Sequence, residues 1–175
     1  MKTIYLTVTN DLTYDQRMLR ICTSLAKAGY AVCLVGRQRP HSKPLVERGF
    51  RQKRLRCWME QGKLFYLEYN LRLFFWLLWQ PWDVVCSIDL DTLLPGFWAA
   101  RLKGKTCVYD AHEYFTEVPE VVERPRVQRV WEWVARHSIP RLRHAYTVCQ
   151  SLKTVFEERY GTPFEVVRNV PFERA

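Results

Sequence analysis

A doubly wound α/β domain, a parallel sheet with helices on both faces, is the fold this sequence predicts, and three features of the chain predict it. Short, nearly continuous apolar runs recur along it, segments with helical period lie between them, and glycines stand where those segments close. Runs that are apolar at successive positions suit strands buried on both faces, the condition of a parallel sheet. Their alternation with helical segments is the pattern of repeated βαβ units.

The first run, Ile4 to Val8, is followed by Tyr14, Met18, Ile21, Cys22, Leu25 and Ala26, which mark one face of a helix that Gly29 can close. Ala31 to Val35 is a second strand. Arg51, Lys53, Arg54 and Arg56 fall in a third, where charge protects a sheet edge. The next segment, Leu64 to Trp79, places Leu64, Leu67, Leu71, Phe74, Phe75 and Leu78 on one helical face and Phe65, Tyr69, Trp76 and Trp79 on another. A helix this apolar reads first as buried core; the other reading packs its aromatic side on an acceptor, a membrane surface or a further domain. Val84 to Cys86 is the fourth strand, and Thr92, Leu93, Phe97, Ala100 and Leu102 form a helix closed by Gly104. Cys107 to Tyr109 is the fifth strand, and Val127, Val130, Trp131 and Val134 give a helical stripe. Ala145 to Val148 precedes a helix begun by Leu152, Val155 and Phe156 and ended by Gly161. A last strand, Phe164 to Val167, runs into Asn169-Val170-Pro171, where the domain boundary is expected, so 1–175 reads as one domain.

With 48% apolar and 14% aromatic residues, the 175-residue chain can bury a full core, which excludes a disordered protein. Its net charge of +9 is uneven: between Arg37 and Lys63 stand nine basic residues and two acids. Such a surface suits an anionic partner. A peripheral contact with an anionic membrane through Arg37, Arg39, Lys43, Arg51, Lys53, Arg54 and Arg56 is one expectation; nucleic acid fits the charge but finds no recognisable module. The six cysteines are scattered, without C-x-x-C pairs, as expected of a reduced, cytoplasmic protein that acts, where the basic surface is used, at the inner face of the cytoplasmic membrane. The N-terminal apolar stretch is too short for a signal-peptide core. Leu64 to Trp79, interrupted by Glu68, Asn70 and Arg72, is too short and too polar to span a bilayer.

Ligands of open parallel sheets bind beyond the carboxyl ends of the strands, near the point where strand order reverses. If the first strand neighbours the fourth, three loops meet there: Asn10-Asp11-Leu12-Thr13, Ile88-Asp89-Leu90-Asp91-Thr92 and Asp110-Ala111-His112-Glu113. They concentrate carboxylates and contain the one histidine placed at a strand end. The glycine-rich dinucleotide fingerprint is missing, since Thr9 to Thr13 contains no glycine, and there is no Walker A sequence, nucleophile elbow or zinc-ligand spacing.

Asn10-Asp11 with Tyr14-Asp15-Gln16-Arg17 and Arg20, then Leu25-Ala26, Gly29 and Val32, resembles the first βαβ unit of family-4 glycosyltransferases. Asp83-Val84-Val85, Asp89-Leu90-Asp91-Thr92-Leu93-Leu94-Pro95, Tyr109-Asp110-Ala111-His112-Glu113 and Val167, Asn169, Val170 and Pro171 follow in that family's order and spacing. The resemblance covers essentially the whole chain. It implies the Rossmann-like, acceptor-side N-terminal half of a two-domain GT-B retaining transferase. The C-terminal domain, which holds most of the sugar nucleotide, is absent from this chain, so the fragment alone is expected to be inactive. Also implied are a sugar acceptor and a nucleotide-sugar donor as partners, no metal, no cofactor beyond the donor itself, and a role in cell-surface polysaccharide or glycolipid synthesis. His112 matches the family histidine that reaches the donor sugar, the candidate catalytic residue. Asn10, Asp11, Arg17, Asp89, Asp91, Asp110 and Glu113 are the candidate substrate-binding residues. Two positions depart from the pattern: Asn10 and Asp11 stand where many relatives have glycines, and Cys86 and Ile88 where polar residues often follow the fourth strand.

Each of these residues has a plainer reading too. Outside its motif His112 would be a helix-capping or solvent-facing histidine; within it, the functional reading prevails. Asp110 and Glu113 suit a helix N-cap and first turn, roles worth about 1 kcal/mol and compatible with function, and Asp89 can cap the helix beginning near Asp91. Arg17 and Arg20, one turn apart, read first as salt-bridge partners of neighbouring acids and second as contacts to an anionic acceptor group. The rival to the transferase is a stand-alone basic domain that docks an acidic membrane surface or nucleic acid through Arg37 to Lys63.

Overall fold

The structure, a computed structural model, describes residues 1–170; Pro171, the last residue of the C-terminal motif, lies outside them. Among the described residues seven strands form one sheet: β1 (Thr3–Thr7), β2 (Ala31–Gln38), β3 (Arg51–Arg56), β4 (Val84–Ile88), β5 (Thr106–Ala111), β6 (His144–Thr147) and β7 (Glu165–Val166). Their order is β3-β2-β1-β4-β5-β6-β7, all parallel. β1 therefore lies between β2 and β4, with Ile4 opposite Val84 and Thr7 opposite Ser87, and the order reverses there as the sequence predicts.

The connecting helices are α1 (Gln16–Lys27), α2 (Gly62–Trp79), α3 (Leu90–Lys103), α4 (Pro119–Val122), α5 (Pro125–Ser138) and α6 (Gln150–Tyr160). Right-handed crossovers put a helix made while the chain moves one way from β1 on one face and those made while it moves the other way on the opposite face. Met18, Leu19 and Cys22 of α1 accordingly bury against Leu6, Leu34, Cys86 and Ile88. α2, α3, α5 and α6 cover the second face, around Tyr5, Val85, Leu93 and Tyr109. Beside α1 the first face remains open over β4 to β6 as an apolar trough of about 520 Å³, floored by Val84, Val108 and Tyr146.

Gly104 and Gly161 adopt the left-handed conformation that ends α3 and α6, as their positions suggest. Two other glycines answer to close approach. A Cβ on Gly96 would fall 2.1 Å from Ser87 Oγ, so α3 lies directly on β4. On Gly36 it would fall 2.5 Å from the Asn10 carbonyl, because the loop after β1 crosses β2 at contact distance.

α2 departs from its sequence reading. Phe65, Tyr69, Leu73 and Leu77, four residues apart, face the sheet, and the Tyr69 hydroxyl donates to the Val8 carbonyl at 2.5 Å. Leu64, Leu67, Leu71 and Phe75, read as core, are exposed, as are Trp79 and, just before the helix, Trp58. A helix apolar almost all round carries little phase in its sequence, so the packing against the sheet decides which row is inside. Tyr14, Leu102 and Val130, each assigned to a buried stripe, are also exposed. No helix among the described residues is long and apolar enough to cross a membrane.

Candidate active site

The loops after β1, β4 and β5 meet because β1 pairs with β4 and β4 with β5. Between them lies a cavity of about 170 Å³ whose polar lining is Thr9, Asn10, Asp15, Arg17, Asp89, Asp91 and His112. Five of the eight candidate residues, Asn10, Arg17, Asp89, Asp91 and His112, thus share one small space.

Asp89 is the hinge of this arrangement. Its φ of +56° is rare for a residue with a side chain and carries strain at the turn from β4 into α3. The turn is held by one bond to β5 and one to the residue that follows it: the Asp89 N–H donates to the Asp110 carbonyl, and the His112 N–H donates to the Asp89 carboxylate, each at 2.9 Å. Asp89 makes no capping bond to α3, in contrast to its sequence reading. Asp91, in the first turn of α3, accepts the Thr9 hydroxyl at 2.5 Å. Burial pushes its carboxyl up to about 7, against the lowering effect of that bond. Burial, and then the Asp91 charge, push the Asp89 carboxyl well above the usual range. Burial also lowers the pKa of His112, helped by Arg17, so the imidazole is neutral at pH 7 and can donate one hydrogen bond.

The remaining candidates are placed differently. Asp110 is fully buried, and its carboxylate accepts the Arg17 guanidinium at 2.6 Å and the Tyr146 hydroxyl at 2.9 Å. The pair braces α1 against β5, the salt bridge that the plainer reading of Arg17 expects. Arg20 bonds the Asn169 side chain at 2.8 Å. Glu113 is exposed and does not line the cavity. The Asp11 carboxylate accepts the Thr13 N–H and the Ser42 hydroxyl, both at 2.8 Å, and so shapes its own loop.

A second cavity, of about 1030 Å³, shares Thr9, Asn10 and Asp15 with the first and extends past Asp11, Arg37, Arg39 and His41 to Phe65 and Tyr66. Two members of this region were not singled out as site residues. Asp15 caps α1 by accepting the Met18 N–H at 2.9 Å and accepts the Asn10 amide at 2.7 Å; an Asp just before an amphipathic run is a recognisable N-cap signal. Arg37, counted among the surface cations, is buried in the cavity wall. Among the described residues no group of three or more His, Cys, Asp or Glu could hold a metal ion.

The family model for Glycosyltransferase Family 4 matches residues 16–171. No curated protein matches the chain. Solved structures with the same fold include sucrose-phosphate synthase from Thermosynechococcus elongatus (12% identity, TM-score 0.71, covering 96% of this chain and 48% of that one). HepE from Anabaena, in complex with UDP and glucose, is similar at 15% identity and TM-score 0.65, over 97% of this chain and 44% of that one. MurG from Acinetobacter baumannii is similar at 13% identity and TM-score 0.60, over 100% and 47%. The chain spans about half the length of each of these proteins.

Proposed function

The chain belongs to glycosyltransferase family 4, and on that footing we propose that it is the acceptor-side half of a sugar-nucleotide-dependent, retaining transferase of cell-surface polysaccharide or glycolipid synthesis. The observation that carries the reading is the convergence of Asn10, Arg17, Asp89, Asp91 and His112 on one cavity at the strand ends. A donor-binding domain facing that end would bring the leaving phosphate and sugar over it, with the acceptor in the larger cavity alongside. The neutral His112 imidazole donates a hydrogen bond to a sugar hydroxyl or to oxygen that gains charge as the glycosidic bond breaks. Asp91, titrating near neutrality, can hold a proton facing the same space. The HepE structures, which hold UDP with glucose and UDP-glucose, support a nucleotide sugar as donor. The test is an assay with UDP-glucose as the probe donor. The chain joined to its donor-binding domain is expected to transfer or hydrolyse with retention at the anomeric carbon, and the 175-residue chain alone to be inactive. Acceptor-dependent turnover by the chain alone, or inversion by the complete protein, overturns the proposal.

We also infer that the domain lies against an anionic membrane, and the exposed row of α2 favours this. Leu64, Leu67, Leu71, Phe75 and Trp79 form an apolar stripe, and Trp58 is held beside it by Arg72, whose guanidinium lies 4.6 Å from the ring centroid. Arg56 and Lys63, which flank the start of the helix in sequence, are exposed, as are Arg39, Lys43, Arg51 and Lys53. Arg37 and Arg54 are withdrawn from it: the Arg54 guanidinium bonds the Asp11 and Lys43 carbonyls and the Thr13 hydroxyl. Sedimentation with vesicles should show binding that needs acidic lipid, weakens with salt as the screening length falls to about 8 Å at physiological ionic strength, and is lost in Leu67→Glu/Phe75→Glu. Equal binding to neutral and acidic vesicles refutes it.

A further inference from the structure

We propose that the larger cavity binds a phosphoryl group of the acceptor, with the Arg37 guanidinium as its principal contact and Arg39 at the rim. This rests on the acceptor-side reading above and adds the chemistry of the acceptor.

Arg37 occupies the next-to-last position of β2 and is only 8% exposed. Its backbone N–H donates to the Asn10 carbonyl at 2.9 Å, which fixes the residue in the cavity wall. The guanidinium lies 4.2 Å from the centroid of the Phe65 ring, and Nη1 donates to the Glu60 carbonyl at 3.0 Å. Nε is buried without a partner. Among the described residues no carboxylate comes within ion-pair distance of this guanidinium. Arg17 Nε and Arg20 Nε are also buried without a partner, but elsewhere on their guanidinium groups Arg17 has the Asp110 carboxylate and Arg20 the Asn169 side-chain oxygen, while Arg54 has two carbonyls, a hydroxyl and, at 3.8 Å, Asp11.

A buried cation without a counter-charge is costly, and an anion brought by a ligand removes that cost. The carboxylates around the cavity cannot supply it. Asp11 is held by Thr13 and Ser42, and Asp15 by Met18 and Asn10. Glu60 presents its carbonyl to Arg37, and its exposed carboxylate acts only at longer range. Burial, and then the like charge of Arg39, lower the Arg37 pKa, the direction expected of a cation that lacks its anion. A planar guanidinium fork matches phosphate oxygens, and Phe65 and Tyr66 offer an apolar wall for the group the phosphate carries. The volume of about 1030 Å³ accommodates a sugar phosphate or a lipid headgroup.

The test is the thermal midpoint of the chain at constant ionic strength with inorganic phosphate, glucose 6-phosphate or dihexanoyl phosphatidic acid. A saturable rise is expected, of about 3–6 °C at ten times the Kd. A lower Kd for glucose 6-phosphate assigns the site to a soluble sugar phosphate, and a lower Kd for the short-chain lipid to a headgroup; both support the shared chemistry. Arg37→Gln should abolish the shift and Arg39→Gln raise the Kd at least tenfold, while Lys2→Gln, remote and exposed, leaves it unchanged. No shift with any probe, or wild-type affinity in Arg37→Gln, overturns the proposal. If Arg37→Gln does not fold, wild-type affinity in both Arg37→Lys and Arg39→Gln overturns it equally. Binding is read without transfer, so a complete enzyme that fails to transfer sugar leaves this result standing.

Discussion

Asp110→Ala is expected to destabilise the domain by about 3–5 kcal/mol, a fall in thermal midpoint of roughly 10 °C or more. Asp110 is inaccessible to solvent, and its removal leaves the Arg17 guanidinium, itself mostly buried, without its counter-charge. The same change deprives the Tyr146 hydroxyl of its acceptor. The ion pair joins the first turn of α1 to β5, residues ninety-three apart in the chain, so its loss frees that end of α1 from the sheet. The cost belongs to the orphaned charge rather than to the pair. The double variant Arg17→Met/Asp110→Leu should therefore recover most of the stability. Thermal melts of the three proteins decide: a single variant that melts with the wild type, or a double variant no better than Asp110→Ala, contradicts this account.

His112→Ala is expected to lower turnover of the complete enzyme about a hundredfold or more, the loss of one preorganised donor worth about 3 kcal/mol to the transition state. The thermal midpoint should barely move. The His112 bond that supports the fold is made by its backbone N–H to Asp89, which alanine retains, and the half-buried ring lines the cavity. Steady-state rates with saturating UDP-glucose, beside melts of the same samples, separate the possibilities. Normal turnover would reduce His112 to a backbone anchor, and a collapsed midpoint would make its ring structural.

The parallel sheet was readable because strands covered on both faces are apolar at every position, as in Ala31 to Val35. The meeting of three loops followed from strand order, which the alternation of strand and helix implies. Phase was not readable in α2, where Leu67 and Leu73 look alike in sequence and only packing on the sheet distinguishes them. Partnership was not readable either. Asp91 and Asp110 both stand near the carboxyl end of the sheet, yet Asp110 is neutralised by Arg17 whereas Asp91 accepts the Thr9 hydroxyl. Arg37 counts as a surface charge until β2 is seen to carry it under the loop after β1. The short helix α4 and the turn Phe115–Glu117 before it went unread because segments of three or four residues are too brief to show a period.

The burial of Asp91 makes folding a proton-uptake reaction. The folded carboxyl titrates near 7, against 3.8 for the free group, so between those values the native state holds a proton that the unfolded chain has released. The contribution of Asp91 to stability is full below about pH 4 and is lost as the pH rises through 7, up to about 4 kcal/mol between the limits. Asp89, shifted the same way, adds to the trend. The asparagine in Asp91→Asn still accepts the Thr9 hydroxyl but has no proton to lose. Its melting curve should thus gain on the wild type between about pH 4 and pH 7 and level off above that, and two profiles that stay parallel across that range would show that Asp91 is ionised in the folded protein.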